Sequence, residues 1–393
     1  MAKFSFFFSL GVIFYCYIGY GVLLFLLIKL KRVLSKSSRT IPVGRFEPEI
    51  TLVVAAFDEA DFIDQKIRNS LALDYPAGKL HWIFITDGSR DETPGIIRNY
   101  PQIRLLHLPE RQGKVAAMNR AIRFVETPYA IFSDANTLLN PLCVREIVRH
   151  YADPQVGGVA GEKKIAKTET DKASGAGEGM YWKYESLLKK LDSELYSVVG
   201  AAGELFSLKT SLFYEAPEST IIEDFVQSMK ICMQGYVIRY EPNAFATEQG
   251  SATMRDEQKR KVRIAAGAFQ AMIMLKGLFN VFRYPVLSFQ FISHRILRWT
   301  LCPLCLLICF ISNAWLVHTQ PWGFYLVFFL AQTVFYALAC VGWILANQNL
   351  KIRAIYIPYY FLFMNLSVFI GFYRWIMKKQ SSVWEKAARH NPV

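Results

Sequence analysis

Tyr129-Ala130-Ile131-Phe132-Ser133-Asp134-Ala135-Asn136 runs apolar and then closes on an acid and an amide. A short apolar run rich in branched and aromatic residues, ending in turn-forming side chains, predicts a buried strand over 129–132 that delivers Asp134 at its carboxyl end. The chain upstream repeats the pattern. Strands are expected over 50–56, 80–86 and 103–108, with helical spacing over 60–71, 93–99 and 114–125 between them. Such alternation predicts an α/β domain built on a mostly parallel sheet with helices on both faces. Ligands of such sheets bind outside the carboxyl ends of the strands. Phe57-Asp58-Glu59, Asp87-Gly88-Ser89 and Ser133-Asp134-Ala135-Asn136 all lie at those ends, so three strands bring acids to one edge.

A second acidic pair, Glu223-Asp224, stands much further along the chain, just before the helical run 225–231. The two acidic sites suit complementary tasks. One carboxylate can hold a divalent ion against a diphosphate. The other can take a proton from an attacking hydroxyl. No Ser-His-Asp order, P-loop or G-x-G-x-x-G after the first strand is present, and the six histidines are scattered without metal-ligand spacing.

The flanks differ from this middle. The chain has 393 residues, a 53% hydrophobic share and a formal charge of +13, which fits one globular domain joined to membrane spans. Residues 4–28 are uncharged and long enough to cross a bilayer. Lys29, Lys31, Arg32, Lys36 and Arg39 follow, so the positive-inside rule puts that end in the cytoplasm. Further apolar runs cover 300–317, 322–346 and 355–377. Residues 266–299 mix apolar and basic side chains, as an interfacial helix on anionic lipid does; an ordinary helix of the globular domain is the other reading. The organisation expected is an anchor over 1–30, a basic linker over 31–48, the α/β domain over 49–265, the interfacial segment over 266–299, C-terminal membrane helices over 300–377 and a basic tail over 378–393. Three crossings after a cytoplasmic domain would leave the tail outside, yet Lys378, Lys379, Lys386 and Arg389 favour the inside. Either one run does not cross or the interfacial segment hides a crossing. Cys302, Cys305 and Cys309 lie in an apolar run and act as small hydrophobes, not as a disulfide framework.

Taken in order, these segments resemble the inverting nucleotide-sugar glycosyltransferases of family 2. Val54-Ala55-Ala56-Phe57-Asp58-Glu59 is similar to the family's P-x-Y-N-E opening. Asp74-Tyr75-Pro76 and Thr86-Asp87-Gly88-Ser89-Arg90-Asp91-Glu92-Thr93 resemble its D-Y-P and D-D-G-S-x-D-x-T segments. Arg111-Gln112-Gly113-Lys114 with Asn119 resembles R-x-G-K…N. Asp134-Ala135-Asn136 holds the D-x-D place, Glu223-Asp224 the E-D place, and Arg260-Lys261-Val262-Arg263-Ile264 the Q-x-x-R-W place. The resemblance covers 49–267, and the flanks fit the membrane branch that makes poly-N-acetylglucosamine, chitin, hyaluronan and cellulose. It departs in three places: Ala55 or Ala56 replaces the opening proline, Asn136 replaces the second acid, and Ile264 replaces the tryptophan that would stack an acceptor sugar.

The resemblance implies a GT-A fold (Rossmann-like, mixed sheet) plus transmembrane helices, and transfer of a sugar from a nucleotide-sugar donor, expected to be UDP-linked, with inversion to a glycan or lipid-linked acceptor. Asp224, beside Glu223, is the base it implies, and repulsion from Glu223 would raise the Asp224 pKa. Glu59, Asp87, Lys114, Asp134, Arg260 and Arg263 are expected at the donor, the two arginines because guanidinium groups match phosphate oxygens. Asp134 with Asn136 would hold Mg²⁺ or Mn²⁺. Gly203 and Glu204 would line the acceptor site, where glycine allows close approach, with Glu162 a weaker candidate. Taken singly, Asp87 equally suits a turn, Asp134 and Asn136 a cap, Glu223 and Asp224 a helix N-terminus, Lys114 a solvated helix start, and the arginines a membrane surface. The expected partners are a nucleotide-sugar donor, the acceptor and the lipid bilayer, with no nucleic acid. The expected location is the plasma (inner) membrane, multi-pass, with a cytoplasmic domain. A non-catalytic membrane scaffold on the same fold is the second reading.

Overall fold

The computed structural model describes residues 1–34, 46–166, 175–248, 253–348 and 352–382. Lys36, Arg39, Lys386 and Arg389, used above for orientation, lie outside them. Eight strands form one sheet: β1 (Ile50–Ala56), β2 (Leu80–Asp87), β3 (Arg104–Leu108), β4 (Tyr129–Asp134), β5 (Thr137–Leu139), β6 (Val156–Ile165), β7 (Phe206–Lys209) and β8 (Val237–Glu248). Their spatial order is β3-β2-β1-β4-β7-β6-β8-β5.

The half that alternation predicted is parallel throughout, β3, β2, β1 and β4 lying side by side. Ala55 registers with both Ile85 and Asp134, which places the ends of β2 and β4 on the same edge. The other half makes the sheet mixed. β7 runs antiparallel to β4 and β6, β6 pairs parallel with β8, and β5 caps β8 antiparallel.

β1 is buried on both faces, and its period-two alternation splits it between two cores. Ile50, Leu52, Val54 and Ala56 join one core with Ile63 and Ile67 of the Ala60–Leu71 helix. Val53 joins the other with Ala117 and Met118 of the Lys114–Ile122 helix and Val226 of the Glu223–Met233 helix. The helices bearing Lys114 and Asp224 thus share one face of the sheet.

Among the described residues, four helices are long and apolar enough to cross a membrane: Ala2–Leu34, Leu301–Thr319, Phe324–Asn347 and Ala354–Ile376. The first is continuous through a π-helical turn, Tyr15–Gly19. Its start meets the Phe324–Asn347 helix, where the Phe6 ring lies 5.3 Å from Phe328. Its end meets the domain, where Tyr20 donates to Asp192 Oδ1 at 2.5 Å and Lys31 to the Leu195 carbonyl at 2.6 Å.

The fourth helix behaves differently from the second and third. It packs along Met254–Met274: Tyr356 meets Met254 Sδ at 3.5 Å, and the Trp375 ring stacks 5.9 Å from Phe269. Trp375 also packs against the domain core. The Met254–Met274 helix itself runs through the 265/266 boundary expected from composition.

Candidate active site

Asp134 ends β4, and the turn after it is held from below by a fully buried lysine. Lys66 Nζ donates to Ser133 Oγ at 2.8 Å and to the Thr137 carbonyl at 2.9 Å. Ser133 in turn donates to the Glu204 carbonyl at 3.0 Å. Burial drives the Lys66 pKa down to about 7, while the charge of Asp134 opposes that fall. Sequence reading missed Lys66; its one signal was a lysine on the buried side of an amphipathic helix, beside Ile63 and Ile67.

Asp87 reaches the site through the backbone. Its Oδ2 accepts from the amides of Gln112 at 2.9 Å and Gly113 at 2.6 Å. This pins the start of the Lys114–Ile122 helix, and with it Lys114. Asp87 Oδ1 is buried without a hydrogen bond, 3.8 Å from Arg120 Nη1. Glu59, also buried, has its amide on Thr93 Oγ1 at 2.8 Å. The loops after β1 and β2 are further tied by Arg90 N on Asp58 Oδ1 at 2.8 Å. Asp87 and Glu59 therefore sit in the strand-edge loops, outside the wall of the cavity that Asp134 and Asp224 share.

That cavity has a volume of about 880 Å³, and Lys114, Asp134, Gly203, Glu223, Asp224 and Arg263 line one end of it. Lys114 Nζ bridges two carboxylates, Asp134 Oδ1 at 2.7 Å and Glu223 Oε1 at 3.0 Å. Burial works against its charge, but Asp134, Glu223 and Asp224 outweigh it and hold the ammonium well above the usual lysine range. Glu223 and Asp224 occupy the first turn of their helix, where negative charge is favoured. They are adjacent, yet they are pushed apart. Burial raises Glu223, but Lys114 more than offsets this and leaves it below the ordinary value. Burial and then the charge of Glu223 raise Asp224 to about 7.

Gly203 stands over this group. A Cβ there would lie 3.1 Å from Lys114 Nζ and 3.3 Å from Asp224 Oδ2, so a side chain would crowd both groups. Gly200, at φ +90°, makes the preceding turn, and a Cβ on it would overlap the Phe225 ring.

Glu204 lines the cavity but is engaged. It accepts from Lys163 Nζ at 2.5 Å and Arg260 Nη2 at 3.0 Å, and Lys163 also pairs with Glu248. Glu162 accepts from Ser186 at 2.6 Å and from Tyr240. Arg263 Nη1 meets the Ile221 carbonyl at 3.4 Å, two residues before Glu223. Asn136 is buried, its Nδ2 without a partner among the described residues, and it is not part of the cavity wall. Ile264 does line the wall, at the place where an aromatic residue was expected; Trp182 and Trp299, which sequence reading did not single out, line it elsewhere. The wall continues into the apolar helices through Tyr17, Phe361 and Asn365, and is completed by Arg374 in the last turn of the fourth and by Lys379 and Ser381 past its end.

Residues 51–215 match the sequence model of glycosyl transferase family 2. The chain is 29% identical over 265 residues to the poly-beta-1,6-N-acetyl-D-glucosamine synthase of Staphylococcus aureus (strain MSSA476), covering 64% of this chain and 62% of that protein. It is 24% identical over 278 residues to the same-named synthase of Staphylococcus epidermidis, covering 67% of this chain and 66% of that one. The chain thus spans just under two thirds of the length of these relatives. Among solved structures it is similar to the mannosyltransferase PcManGT from Pyrobaculum calidifontis in complex with GDP-Man and Mn2+, with a TM-score of 0.71, 21% identity and coverage of 97% of this chain and 100% of that chain. Sheet, order of motifs and sequence relationship agree: the chain carries a glycosyl transferase family 2 domain of GT-A fold, flanked by apolar helices.

Proposed function

We propose that the protein transfers a sugar from a nucleoside-diphosphate donor to an acceptor hydroxyl, with inversion, during glycan assembly at a membrane. The reading rests on one observation: Asp224, with its pKa raised to about 7, lies in the same cavity as the Lys114–Asp134–Glu223 cluster. A general base works best when its pKa is near the working pH. Asp224 takes the proton from the acceptor hydroxyl as that oxygen bonds the anomeric carbon. The electron pair of the breaking bond leaves with the nucleoside diphosphate. Lys114 and Arg263 meet the charge that develops on the diphosphate. The names of the staphylococcal relatives make a UDP-linked N-acetylhexosamine the first donor to try.

Among the described residues, no cluster of three or more His, Cys, Asp or Glu side chains is arranged to hold a metal. Of the two expected ligands, Asp134 lines the cavity and Asn136 does not, and Lys114 already rests on Asp134. That fits Mg²⁺ or Mn²⁺ bound through a single carboxylate plus donor phosphate oxygens, with Asn136 behind it. When bound, such an ion neutralises charge on the leaving group.

The orientation proposed puts the domain in the cytoplasm. Because Lys379 and Ser381 share a cavity wall with Asp134, the tail lies on the domain's side. The Ala354–Ile376 helix then rests on the domain at the membrane surface instead of crossing. This reading takes three crossings and keeps the basic tail on the inside, as its charge favours. Membrane-impermeant labelling of Ser382→Cys in sealed inverted vesicles is expected to succeed, and labelling only from the opposite face would refute it.

The activity test is a donor panel (UDP-, GDP- and dTDP-sugars) in detergent with Mn²⁺, following nucleotide release and product mass. Asp224→Asn must suppress release; equal release by both proteins removes the base assignment.

A further inference from the structure

The cavity has a second end that the donor does not need. From the helix Gly175–Leu195 it receives Glu185 and Lys189, and from the segment before the second apolar helix it receives Arg295 and Arg298. Lys189 is only 5% exposed, yet it makes no hydrogen bond or ion pair among the described residues. The carboxylates that act on it from a distance are Glu162, Glu204 and Glu185, and each already has contact partners of its own. Glu162 serves Ser186 and Tyr240. Glu204 serves Lys163 and Arg260. Glu185 serves Arg298 at 2.6 Å and Arg295 at 3.1 Å. His294 also lines this end and is held by Asp192 Oδ2 at 2.6 Å.

An ammonium taken out of water and left unpaired is costly. Lys189, Arg295 and Arg298 stand beside Glu185 on this wall, and burial pulls the Lys189 pKa down, so an anion entering here restores its charge and a neutral group does not. The adjoining wall is different in kind. Tyr17 of the first apolar helix and Phe361 and Met364 of the fourth are its members, and they suit a hydrocarbon chain.

We infer that this end of the cavity binds the phosphate head of a membrane lipid, with Lys189 as its principal contact, Arg295 and Arg298 beside it, and the lipid chain against Tyr17, Phe361 and Met364. Resting on the glycosyltransferase reading, this names the acceptor class: a saccharide carried on a lipid phosphate, its sugar extending towards Asp224. Lys189 binds and orients; it does not enter the bond-making step.

The test uses the full chain in detergent or nanodiscs, with farnesyl phosphate as the probe and farnesol, inorganic phosphate and a neutral N-acetylglucosamine trisaccharide as comparisons. Farnesyl phosphate is expected to bind at least about tenfold more tightly than farnesol or phosphate. Lys189→Gln is expected to weaken it about tenfold to hundredfold, the scale of a lost charged hydrogen bond, while Lys189→Arg retains it. Inorganic phosphate binding as well as farnesyl phosphate overturns the lipid assignment. Binding of the trisaccharide but not of farnesyl phosphate overturns the anion assignment. Farnesyl phosphate binding unchanged in Lys189→Gln, with the variant's melting unchanged, removes Lys189. UDP binding in the same samples reports separately on the glycosyltransferase reading: a protein that binds UDP and no lipid phosphate keeps that reading and loses this one.

Discussion

The strand-edge end of the cavity and its helical end are held together by different forces. At the strand edge, position is set first by backbone, and the ion pairs of Lys114 with Asp134 and Glu223 rest on that frame. The register of β1 with β2 and β4 fixes where the strands stop, and Asp87 holds Lys114 in place through two amides. At the helical end, position is set by ion pairs between segments far apart in sequence: Glu185 with Arg295 and Arg298, and Asp192 with His294. Backbone hydrogen bonds tolerate side-chain change; buried ion pairs do not. The first end is a rigid frame for chemistry. The second stakes its stability on a few charges.

The largest effect is expected at the strand-edge end. Asp224→Asn keeps shape and removes the base, so kcat is expected to fall about 10²–10⁴-fold, with UDP affinity nearly unchanged by titration calorimetry. A loss of UDP binding of the same size would mean that Asp224 is a binding residue and would erase the contrast.

Next comes Glu185→Gln at the helical end. It strands two partly buried arginines, and a stability loss of about 3 kcal/mol is expected, read as a lowered melting midpoint. UDP affinity should stay within about twofold if the two ends are independent. Coupled loss of both would show that the ends form one unit.

The smallest effect is in pH. With Asp224 raised to about 7, the carboxylate is protonated and idle below that value, and kcat/KM is expected to rise with pH through about 7. Burial holds the pKa up first and Glu223 second. Glu223→Gln removes the second cause and is expected to move the limb towards acid by about one unit. A limb that does not move would assign it to another group.

Much of the strand-edge end was legible in the sequence. The strand 50–56 and the helix 60–71 came out as read, because β1 is a continuous apolar run and the helix carries a clean 3.6 period with Ile63 and Ile67 inward. The sheet's other half was not read. In Val156–Ile165 the glycines mimic a loop, although Gly158 is there because a Cβ would meet Ser207 O at 2.8 Å. What Lys66 holds could not be read, since its partners Ser133 and Thr137 become neighbours only when the sheet forms. Lys189 and Glu185 escaped for the same reason: periodicity reports a helix, and nothing local reports what that helix will face. The missing aromatic at Ile264 suggested an absent sugar platform, whereas Trp182 and Trp299 reach the same cavity from other segments.

The wall formed by Arg374, Lys379 and Ser381 carries a consequence for biogenesis. A nascent chain that has inserted its first apolar helix and folded its sheet possesses every acid of the cluster, yet its cavity still lacks one side. The enclosure is completed only when the fourth apolar helix and the residues just past it, which follow the rest of the wall in the chain, are in place. On the reading proposed, a chain cut before Arg374 is expected to make no transfer although it keeps Asp134 and Asp224.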